Sequence, residues 1–432
     1  MGESPPIAFN ANYRRYTPAA SALLMRISEA LGAIRGARVL PAVVDQLRAS
    51  AKVGTVHYST LIEGNELPII EAERATRGQL DPSSRAKIEL VNYVTALDLI
   101  EDRLEAGALQ LTPGFLKQLH GIATRGLGRE DHPYFRPHHE GEWRDGVALV
   151  VDRITNTVLH EGPPADEVPE RMQGIFDWFH AKAAAASEPA FVLAGAMHYG
   201  ITEVHPFADG NGRAARLFQT ALLMQADVLP GRMLSFERYY AEDRPAYYAA
   251  LRSVRERTLN MEGWLEYFLR GLAEEYERVA ATVADLSSLV AASSKGPLRL
   301  TPSQERALAS LRIEGRREFS RRDYEQAAGV GRSAAGEDLR ELVRHGALIP
   351  RGAGPSTRYA LSATSGASAG RESRGRPRTW TDPVIERELR TFIGGRHDWP
   401  SPEEFRSRGE GALYAAASRA GGIARWRRLM GL

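Results

Sequence analysis

The chain of 432 residues contains no cysteine. This absence excludes disulfide bonds, thiolate chemistry, and zinc or iron–sulfur sites that need cysteine ligands. The sequence also lacks an uninterrupted apolar run of about 18 residues, so we expect no membrane-spanning helix. Residues 1–18 contain Glu3 and several prolines but no apolar core, which argues against a secretory signal. These absences favour a cytoplasmic protein.

An excess of either charge is missing as well, because 56 Lys and Arg residues nearly balance 54 Asp and Glu residues. With 43% hydrophobic and 25% charged residues, the composition is that of a globular protein, and the length predicts about two to four domains. The last third is nevertheless rich in arginine, so a nucleic-acid partner is to be sought there. No G-x-x-x-x-G-K-[ST] loop is present to bind a nucleotide.

Apolar residues recur at helical spacing from Pro18 to about residue 290, which predicts a mostly α-helical fold. The exception is Ala148–Leu159, a β-branched, alternating segment that ends before Pro163-Pro164 and predicts a single β-hairpin. Because a two-stranded hairpin is marginal by itself, it must pack against the helices. The predicted helices are Ala20–Ile34, Leu40–Leu61, Ala86–Leu109, Pro189–Val204 and Met261–Leu286.

The strongest functional signal is the run HPFADGNGRAAR, from His205 to Arg216. It predicts a helix end, a tight turn, and a new helix from about Arg213 to Met224. Gly210 and Gly212 permit backbone conformations that other residues avoid, and they let amides approach a ligand closely. The first N–H groups and the dipole of the new helix point at the turn. The turn therefore predicts an anion site suited to phosphates.

Four side chains of the run add chemistry to that site. Arg213 and Arg216 offer fork-shaped cations for phosphate oxygens. Asp209 is a carboxylate suited to Mg²⁺ that is already bound to phosphates, and His205 is a titratable base at the edge of the turn. The set suits phosphoryl-group chemistry. The alternative is a purely structural helix–helix connection with a capped start.

The run resembles the core motif of Fic-domain proteins, HPF-x-[D/E]-G-N-G-R-x-x-R, with every defining position filled. The segment Met197–Glu203 resembles the helix that precedes the motif, and the hairpin Ala148–Leu159 resembles the family's flap, which aligns the target's side chain as a strand. The resemblance spans about residues 17–275. It implies a helical Fic domain that transfers AMP from ATP to a hydroxyl group of a protein target.

The resemblance also implies a role for each residue of the motif. His205 would deprotonate the target hydroxyl, which attacks the α-phosphate of ATP while pyrophosphate leaves. Phe207 would be a buried anchor. Because many relatives associate through the helical domain, a homodimer is expected, and because some members transfer other phosphate-containing groups, the transferred group stays open. The implied ligands are Asp209 for Mg²⁺, Gly210, Asn211 and Gly212 for the α-phosphate, and Arg213 and Arg216 for the outer phosphates.

A second segment, STLIEGN from Ser59 to Asn65, resembles the inhibitory-helix pattern [S/T]-x-x-x-E-[G/N] of this family. If Glu63 pairs with Arg216, that arginine does not grip the γ-phosphate, and the resting enzyme holds ATP poorly. Because the pattern precedes the core motif, the inhibition acts within one chain. In some relatives the equivalent glutamate also positions the water that removes AMP, so the reverse reaction is open here. The alternative is a surface helix that stops at Glu63-Gly64.

Tyrosines near Arg244 lie where the family places the base of the nucleotide, and they either contact adenine or pack in the core. They are Tyr239, Tyr240, Tyr247 and Tyr248.

Histidines before the hairpin cluster with Glu140, and they form either a zinc site or a loop that leads to the hairpin. They lack the i, i+4 spacing of a helical metal site and are interrupted by prolines, which favours the loop. They are His132, His138 and His139.

After a loose segment at Ala291–Pro297, which predicts a linker, residues 298–361 resemble a winged helix-turn-helix. Arg332 and Ser333, with Arg340 further along, would face a DNA major groove, and Arg358 with Arg351 would contact phosphates. The alternative is a protein-binding surface, because acidic residues lie on the same helix. The predicted elements are helices at Thr301–Ser310, Phe319–Ala328 and Ser333–His345, and two strands within Gly346–Leu361.

Two weaker signals follow towards the end of the chain. Arg374–Arg378 resembles an AT-hook core for a narrow minor groove, although a flexible linker is an equal interpretation. Residues 380–432 resemble a small helical module found near nucleic-acid-associated domains, with Arg425, Arg427 and Arg428 as candidate phosphate contacts.

The predicted organisation has five parts: a helical region with the inhibitory helix (1–110), a Fic domain (111–290), a winged helix-turn-helix (298–361), a basic linker (362–379) and a small helical module (380–432). The function predicted is that of an autoinhibited protein adenylyltransferase that uses ATP and Mg²⁺ and binds DNA or a partner through its last modules. The alternative is a DNA-binding transcriptional regulator whose Fic domain senses nucleotide or modifies only itself.

Overall fold

The computed structural model describes residues 16–37, 41–129, 135–151, 158–256, 260–295, 300–313, 316, 318–352, 357–361, 382–394, 399–401, 404–405, 413–414, 417 and 423–430. The chain divides into two compact units, Met1–Thr364 and Ser365–Leu432. Within the described residues, no helix is both long enough and apolar enough to cross a bilayer.

The larger unit is mostly helical, as the sequence predicts. Up to residue 295 its helices are α1 (Pro18–Gly36), α2 (Pro41–Ile62), α3 (Ile69–Thr76), α4 (Arg85–Glu105), α5 (Pro113–Ala123), α6 (Val168–Ala184), α7 (Ala190–Val204), α8 (Asn211–Gln225), α9 (Glu237–Glu242), α10 (Arg244–Glu256) and α11 (Glu262–Lys295).

Several of these helices begin at a side-chain cap. Thr17 accepts a hydrogen bond from the Ala20 N–H at 3.0 Å, and Thr112 accepts one from the Phe115 N–H at 3.1 Å. In both cases a proline follows the cap, where its missing N–H costs nothing. These local signals determine where α1 and α5 begin; α1 was predicted from its apolar spacing, and α5 was not among the predicted helices.

The centre of the unit is α7, which packs against α6, α8 and α11. All its residues from Phe191 to Ile201 are buried, as expected for a helix that is apolar on every side. Gly195 allows close packing with α11, because a Cβ there would lie 3.0 Å from the ring of Phe268. Since α7 ends at Val204, this packing fixes the point from which the HPFADGNGRAAR turn departs.

The predicted hairpin is formed by the antiparallel strands β1 (Leu149–Val151) and β2 (Val158–Glu161). Leu149 pairs with Glu161 and Val150 with His160, and the register shifts before Val151 pairs with Val158. His160 donates a hydrogen bond to the carbonyl of Glu203, near the end of α7, at 2.7 Å. The hairpin therefore lies beside the start of the turn. Thr155 and Asn156, in the predicted connection, lie outside the described residues.

The segment after residue 300 contains α12 (Pro302–Ile313), β3 (Glu318–Ser320), α13 (Arg321–Ala328), α14 (Arg332–Arg344), β4 (Leu348–Arg351) and β5 (Arg358–Leu361). Its strands form an antiparallel sheet in the order β3-β5-β4. Helix α12 packs against α13 and also against α2. The helices and the two later strands lie where the sequence predicts them, within a few residues.

Two predictions about this region need correction. The linker predicted at Ala291–Pro297 is helical as far as Lys295, because a helix that is already formed extends readily through Ala, Ser and Lys. Phe319 lies on a strand rather than in a helix, since Ser320 caps α13. The Asp323 N–H donates to the Ser320 hydroxyl at 3.2 Å, and the Asp323 carboxylate accepts from the Ser320 N–H at 2.7 Å.

The smaller unit contains α15 (Asp382–Ile393) and α16 (Ile423–Met430). Ile385, Leu389, Phe405 and Trp426 are among the buried residues of its own small core. The AT-hook-like residues Arg374–Arg378 lie outside the described residues.

Candidate active site

The turn between α7 and α8 starts with a strained residue. His205 caps α7 in the left-handed conformation (φ 51°, ψ 57°), which is uncommon for a residue with a side chain. Gly210, at the start of α8, has φ 76°. A Cβ on Gly210 would also lie only 2.7 Å from a methyl group of Thr124. The turn therefore requires glycine at 210 and holds His205 at a fixed place above the start of α8.

The imidazole of His205 has the hydrogen bonding of a general base. Its Nδ1 donates a long hydrogen bond, 3.4 Å, to the carbonyl of Thr202, which leaves the lone pair on Nε2. Burial, and then the nearby His160, lower the pKa of His205 to about 4. The ring is therefore neutral at physiological pH and able to accept a proton.

The turn is shaped from within by Asn211 and Phe207. The Asn211 side chain accepts a hydrogen bond from the Phe207 N–H at 2.9 Å and donates one to the Phe207 carbonyl at 2.8 Å. Phe207 is buried, as predicted, and stacks on His120 with ring centroids 3.7 Å apart. His120 in turn donates to the Asp209 carbonyl at 2.8 Å. The side-chain amide of Asn211 is thus engaged by the backbone of Phe207. The first N–H groups of α8, which have no partner within the helix, are the donors suited to an anion.

Both predicted arginines are buried at the start of α8 and keep unused donors. Arg213 Nε and Nη1, and Arg216 Nη1, make no hydrogen bond within the described part of the chain. Arg213 Nη1 does face the Glu89 carboxylate, at 3.7 Å. Buried guanidinium N–H groups without a hydrogen bond are costly unless a ligand completes them. An anion with several oxygens, such as a phosphate chain, meets that need.

Arg216 is also paired with the segment singled out at the end of α2. Its Nη2 lies 2.6 Å from the Glu63 carboxylate, and its Nε donates to the Ser59 hydroxyl at 2.7 Å. Burial opposes the charge on Arg216, but Glu63 outweighs that effect and raises the pKa of the arginine further. A Cβ on Gly212 would collide with the Glu63 carboxylate. Glycine at 212 thus lets this carboxylate reach the anion site at the start of α8.

Asp209 stands at the exposed side of the turn and fits a divalent cation. One of its oxygens accepts a hydrogen bond from the Gly210 N–H at 2.6 Å, while the other faces Arg85 at 3.3 Å and Arg213 at 3.8 Å. A single carboxylate next to a phosphate site is the donor set that Mg²⁺ uses when it keeps several waters and substrate oxygens.

The structure adds backbone contacts of two arginines to those that the sequence predicts. Arg144 donates to the carbonyl of His205 at 2.8 Å, and Arg244 donates to the carbonyls of Leu61 and Ile62 at 3.0 and 3.4 Å. The acceptors are backbone carbonyls, which every residue has, so no motif marks such contacts. The Arg244 side chain, from the start of α10, therefore contacts the last residues of α2, just before Glu63.

The tyrosines near Arg244 divide between the core and the surface. Tyr240 and Tyr247 are buried, with ring centroids 4.8 Å apart, and the Tyr247 hydroxyl donates to His198 at 2.8 Å. Tyr248 is partly exposed. Packing therefore accounts for Tyr240 and Tyr247.

The histidines before the hairpin meet Asp145 in a cluster with metal-ligand spacing. His138, His139 and Asp145 place their ligand atoms within 4.8 Å of one another. However, His139 Nδ1 accepts from the Arg136 N–H at 3.2 Å, so Nε2 carries the proton and donates to Asp145 at 3.1 Å. A metal needs the lone pair of Nε2, so these hydrogen bonds favour a loop stabilised by its own side chains. His132 lies outside the described residues.

The residues predicted to contact DNA are at the surface. Arg332 and Ser333, at the start of α14, are exposed, and so is Arg358 on β5. Arg340 and Arg344 are exposed further along α14. Arg351 on β4 pairs with Glu318 on β3, the opposite edge strand of the sheet.

Residues 110–223 match the sequence model of the Fic/DOC family. The protein adenylyltransferase Fic of Drosophila willistoni is 28% identical over 225 residues, which cover 52% of this chain and 40% of that protein. The protein adenylyltransferase Fic of Nematostella vectensis is 28% identical over 230 residues, which cover 52% of this chain and 46% of that protein. The matched region therefore spans less than half the length of these curated relatives.

Among solved structures, a crystal structure of a Fic family protein from Desulfovibrio desulfuricans G20 is similar, with 24% sequence identity and a TM-score of 0.53. The alignment covers 84% of this chain and 100% of that chain. This likeness concerns the fold. The family match over residues 110–223 confirms the Fic domain that the motif predicts. The family match itself includes neither α2 nor the residues after 223.

Proposed function

We propose that this protein is an adenylyltransferase that moves AMP from ATP to a Ser, Thr or Tyr hydroxyl of a protein target. The observation that carries the proposal is the pairing of a neutral His205, whose Nε2 is free to take a proton, with unused buried donors of Arg213 and Arg216 across one short turn. The names of the relatives with matched sequences support the same activity.

In the proposed reaction, His205 Nε2 removes the proton of the target hydroxyl, and the hydroxyl oxygen attacks the α-phosphorus of ATP. The bond from the α-phosphorus to the bridging oxygen of the β-phosphate breaks, and pyrophosphate leaves. The N–H groups at the start of α8 and the two arginines hold the phosphates in line. Asp209 would hold Mg²⁺, which neutralises phosphate charge when it is bound.

The hairpin is the proposed docking edge for the target. Val147, Leu149 and Val158 are exposed apolar residues there, a feature that favours contact with an extended peptide. His160 on β2 lies with its ring centroid 6.2 Å from that of His205, so a side chain aligned along β2 would be near the base.

We further propose that the resting chain is inhibited by Glu63. Its carboxylate, 2.6 Å from Arg216 Nη2, neutralises the cation that would bind the outer phosphates and lies where Gly212 opens the anion site. ATP then binds weakly or in a non-productive position. Removing the Glu63 carboxylate should free the Arg216 guanidinium group to bind the phosphates of the nucleotide.

The test is incubation of purified chain with Mg²⁺ and α-labelled ATP. Glu63→Gly should label itself or lysate proteins far more than wild type, and Glu63→Gly/His205→Ala should not. Glu66→Gly, which changes an exposed carboxylate three residues further on, is the matched control and should behave as wild type. Silence of Glu63→Gly with α-labelled ATP, γ-labelled ATP and other nucleotides alike would remove the transferase proposal.

The second candidate is a DNA-binding regulator whose Fic domain senses nucleotide or modifies only itself. The observation in its favour is the order of elements in α12–β5, that of a winged helix-turn-helix, with exposed Arg332 and Ser333 at the start of α14 and exposed Arg358 on β5. His205→Ala separates the roles. If label transfer is lost while duplex DNA is still bound, both activities are present and independent.

A further inference from the structure

Arg144 is a buried arginine without a carboxylate partner among the described residues, and it lies between the hairpin and the turn. Its guanidinium group reaches both ends of the hairpin: Nη1 donates to the carbonyl of Gly146, before β1, at 2.7 Å, and Nη2 donates to the carbonyl of Pro163, after β2, at 2.5 Å. One planar group therefore closes the base of the hairpin, where the two chain segments are furthest from the connection.

The same guanidinium group holds the end of α7. Nε donates to the His205 carbonyl at 2.8 Å, and Nη2 lies 3.5 Å from the Val204 carbonyl. The backbone N–H of Arg144 donates to the Pro206 carbonyl at 2.9 Å. These carbonyls belong to the C-terminal end of a helix, where a cation is favoured. The hydrogen bonds also hold the strained left-handed backbone of His205.

The space around Arg144 is kept open by Gly162. A Cβ at that position would lie 2.9 Å from Arg144 Nη2 and 3.2 Å from the Val204 carbonyl oxygen. The Gly162 N–H also closes the hairpin by donating to the Ala148 carbonyl at 2.9 Å. The guanidinium group of Arg144 and the absence of a side chain at Gly162 thus both allow the base of the hairpin to pack against the end of α7.

We propose that Arg144 is a positioning residue that couples the hairpin to the base, so that a target held along β2 and the Nε2 of His205 keep one fixed relative position. The inference rests on the proposed function for its catalytic consequence. Lysine keeps the charge but offers its donors from a single point, so it does not hold four carbonyls in one plane. Loss of the fork should release the hairpin and the His205 backbone together, while the phosphate site at the start of α8 stays intact.

The experiment uses the full chain in the Glu63→Gly background and compares Arg144→Lys with Arg125→Lys. The control changes an exposed arginine that also precedes the hairpin. Amide hydrogen exchange should rise about tenfold or more in β1, β2 and the residues after α7 for Arg144→Lys, and in neither region for the control. The rate of label transfer at saturating ATP should fall about 100-fold. The Kd for a non-hydrolysable ATP analogue should change less than about twofold, a separation that general unfolding does not produce.

A second variant, Gly162→Ala, displaces the guanidinium group without removing it and should give the same pattern with smaller changes. If amide exchange in the hairpin is unchanged for both variants, Arg144 does not couple the hairpin to His205. The proposal also fails if exchange rises while the rate of label transfer stays the same. If Glu63→Gly itself transfers no label, the proposed function fails. The exchange measurement then still decides whether Arg144 joins the hairpin to the turn.

Discussion

Three arginines around the HPFADGNGRAAR turn and four arginines of α14 and β5 lie in opposite environments. Arg144 and Arg213 are 3% exposed, and Arg216 is 0% exposed. Arg332, Arg340, Arg344 and Arg358 are all exposed on α14 and β5. The same residue type is therefore held in two different environments in one chain.

The difference follows from the cost of burying charge. A buried guanidinium group loses several kcal/mol of hydration, so it persists only where fixed acceptors or a ligand compensate. Such a group is oriented before the ligand arrives and recognises one geometry. An exposed arginine loses little, and it gains mainly from a dense polyanion that releases counterions. In the buried set, Arg144 is engaged by backbone carbonyls. Arg213 and Arg216 suit a single nucleotide, and the exposed set suits a nucleic-acid backbone.

The largest expected effect is that of Arg216→Ala in the Glu63→Gly background. Label transfer from α-labelled ATP should fall about 100- to 1,000-fold, because a preoriented cation at the outer phosphates is lost. Arg340→Ala, which removes an exposed arginine of α14, should leave the rate unchanged. Equal rates of label transfer for the two variants would mean that the buried and the exposed arginines do not differ in their contribution to the reaction.

Glu237 extends the comparison of buried and exposed charged groups to an acidic residue, because it is buried near Arg216. Burial raises the pKa of Glu237 from its ordinary value of 4.5 to about 7, and its carboxylate accepts from Thr55 and Ser235, both at 3.2 Å. The folded state thus favours the protonated form. As pH rises from about 4.5 to 7, the unfolded chain loses this proton first, so the free energy of unfolding falls and then levels off.

Glu237→Gln has no such proton to lose. Relative to wild type, the variant should be more stable at pH 8 than at pH 5 by about 1 to 3 kcal/mol, as measured by urea unfolding. Glu242→Gln, a change of an exposed acid on the same helix, should show no such difference between the two pH values. A pH-independent difference for Glu237→Gln would mean that the buried carboxyl is ionised throughout.

Arg244, the first residue of α10, is half-buried and so lies between the buried and the exposed arginines in its environment. Its side chain contacts the end of α2. Its hydrogen bonds to the carbonyls of Leu61 and Ile62 hold the residues just before Glu63. With Glu63 present, Arg244→Ala should raise label transfer about tenfold, less than Glu63→Gly does, and Arg238→Ala should not. In the Glu63→Gly background it should add nothing further. A fall in transfer there would instead place Arg244 at the nucleotide.

The smallest effect is expected for Arg358→Ala. Binding of mixed-sequence duplex DNA, measured by fluorescence anisotropy at several salt concentrations, should weaken a few-fold. The slope of log affinity against log salt should shrink by about 1, because one phosphate contact is lost. Arg26→Ala on α1 is the control and should leave both values unchanged. DNA binding that ignores Arg358 and Arg332 alike would favour the protein-contact interpretation of this segment.

The sequence was most informative where a function depends on residues that are close along the chain. The HPFADGNGRAAR run carries its base, carboxylate, glycines and arginines in one turn and the start of the helix that follows it, so its geometry follows from local rules. The Glu63–Arg216 pair joins residues far apart, and only the resemblance to the Fic motifs indicated it. Strand β3 was not predicted, because three residues carry too little pattern to distinguish a strand from the start of a helix.

The sequence by itself determined a mostly helical chain without disulfides, a hairpin before the motif, and a turn whose residue types suit phosphate chemistry. Only the tertiary structure decided that Arg144 joins the hairpin to His205, that Arg244 holds the end of α2, and that Phe207 engages the side chain of Asn211. The physical reason is the same in all three cases. The partners are backbone groups, which all residues share, so these contacts depend on how the chain folds in space and leave no pattern along it.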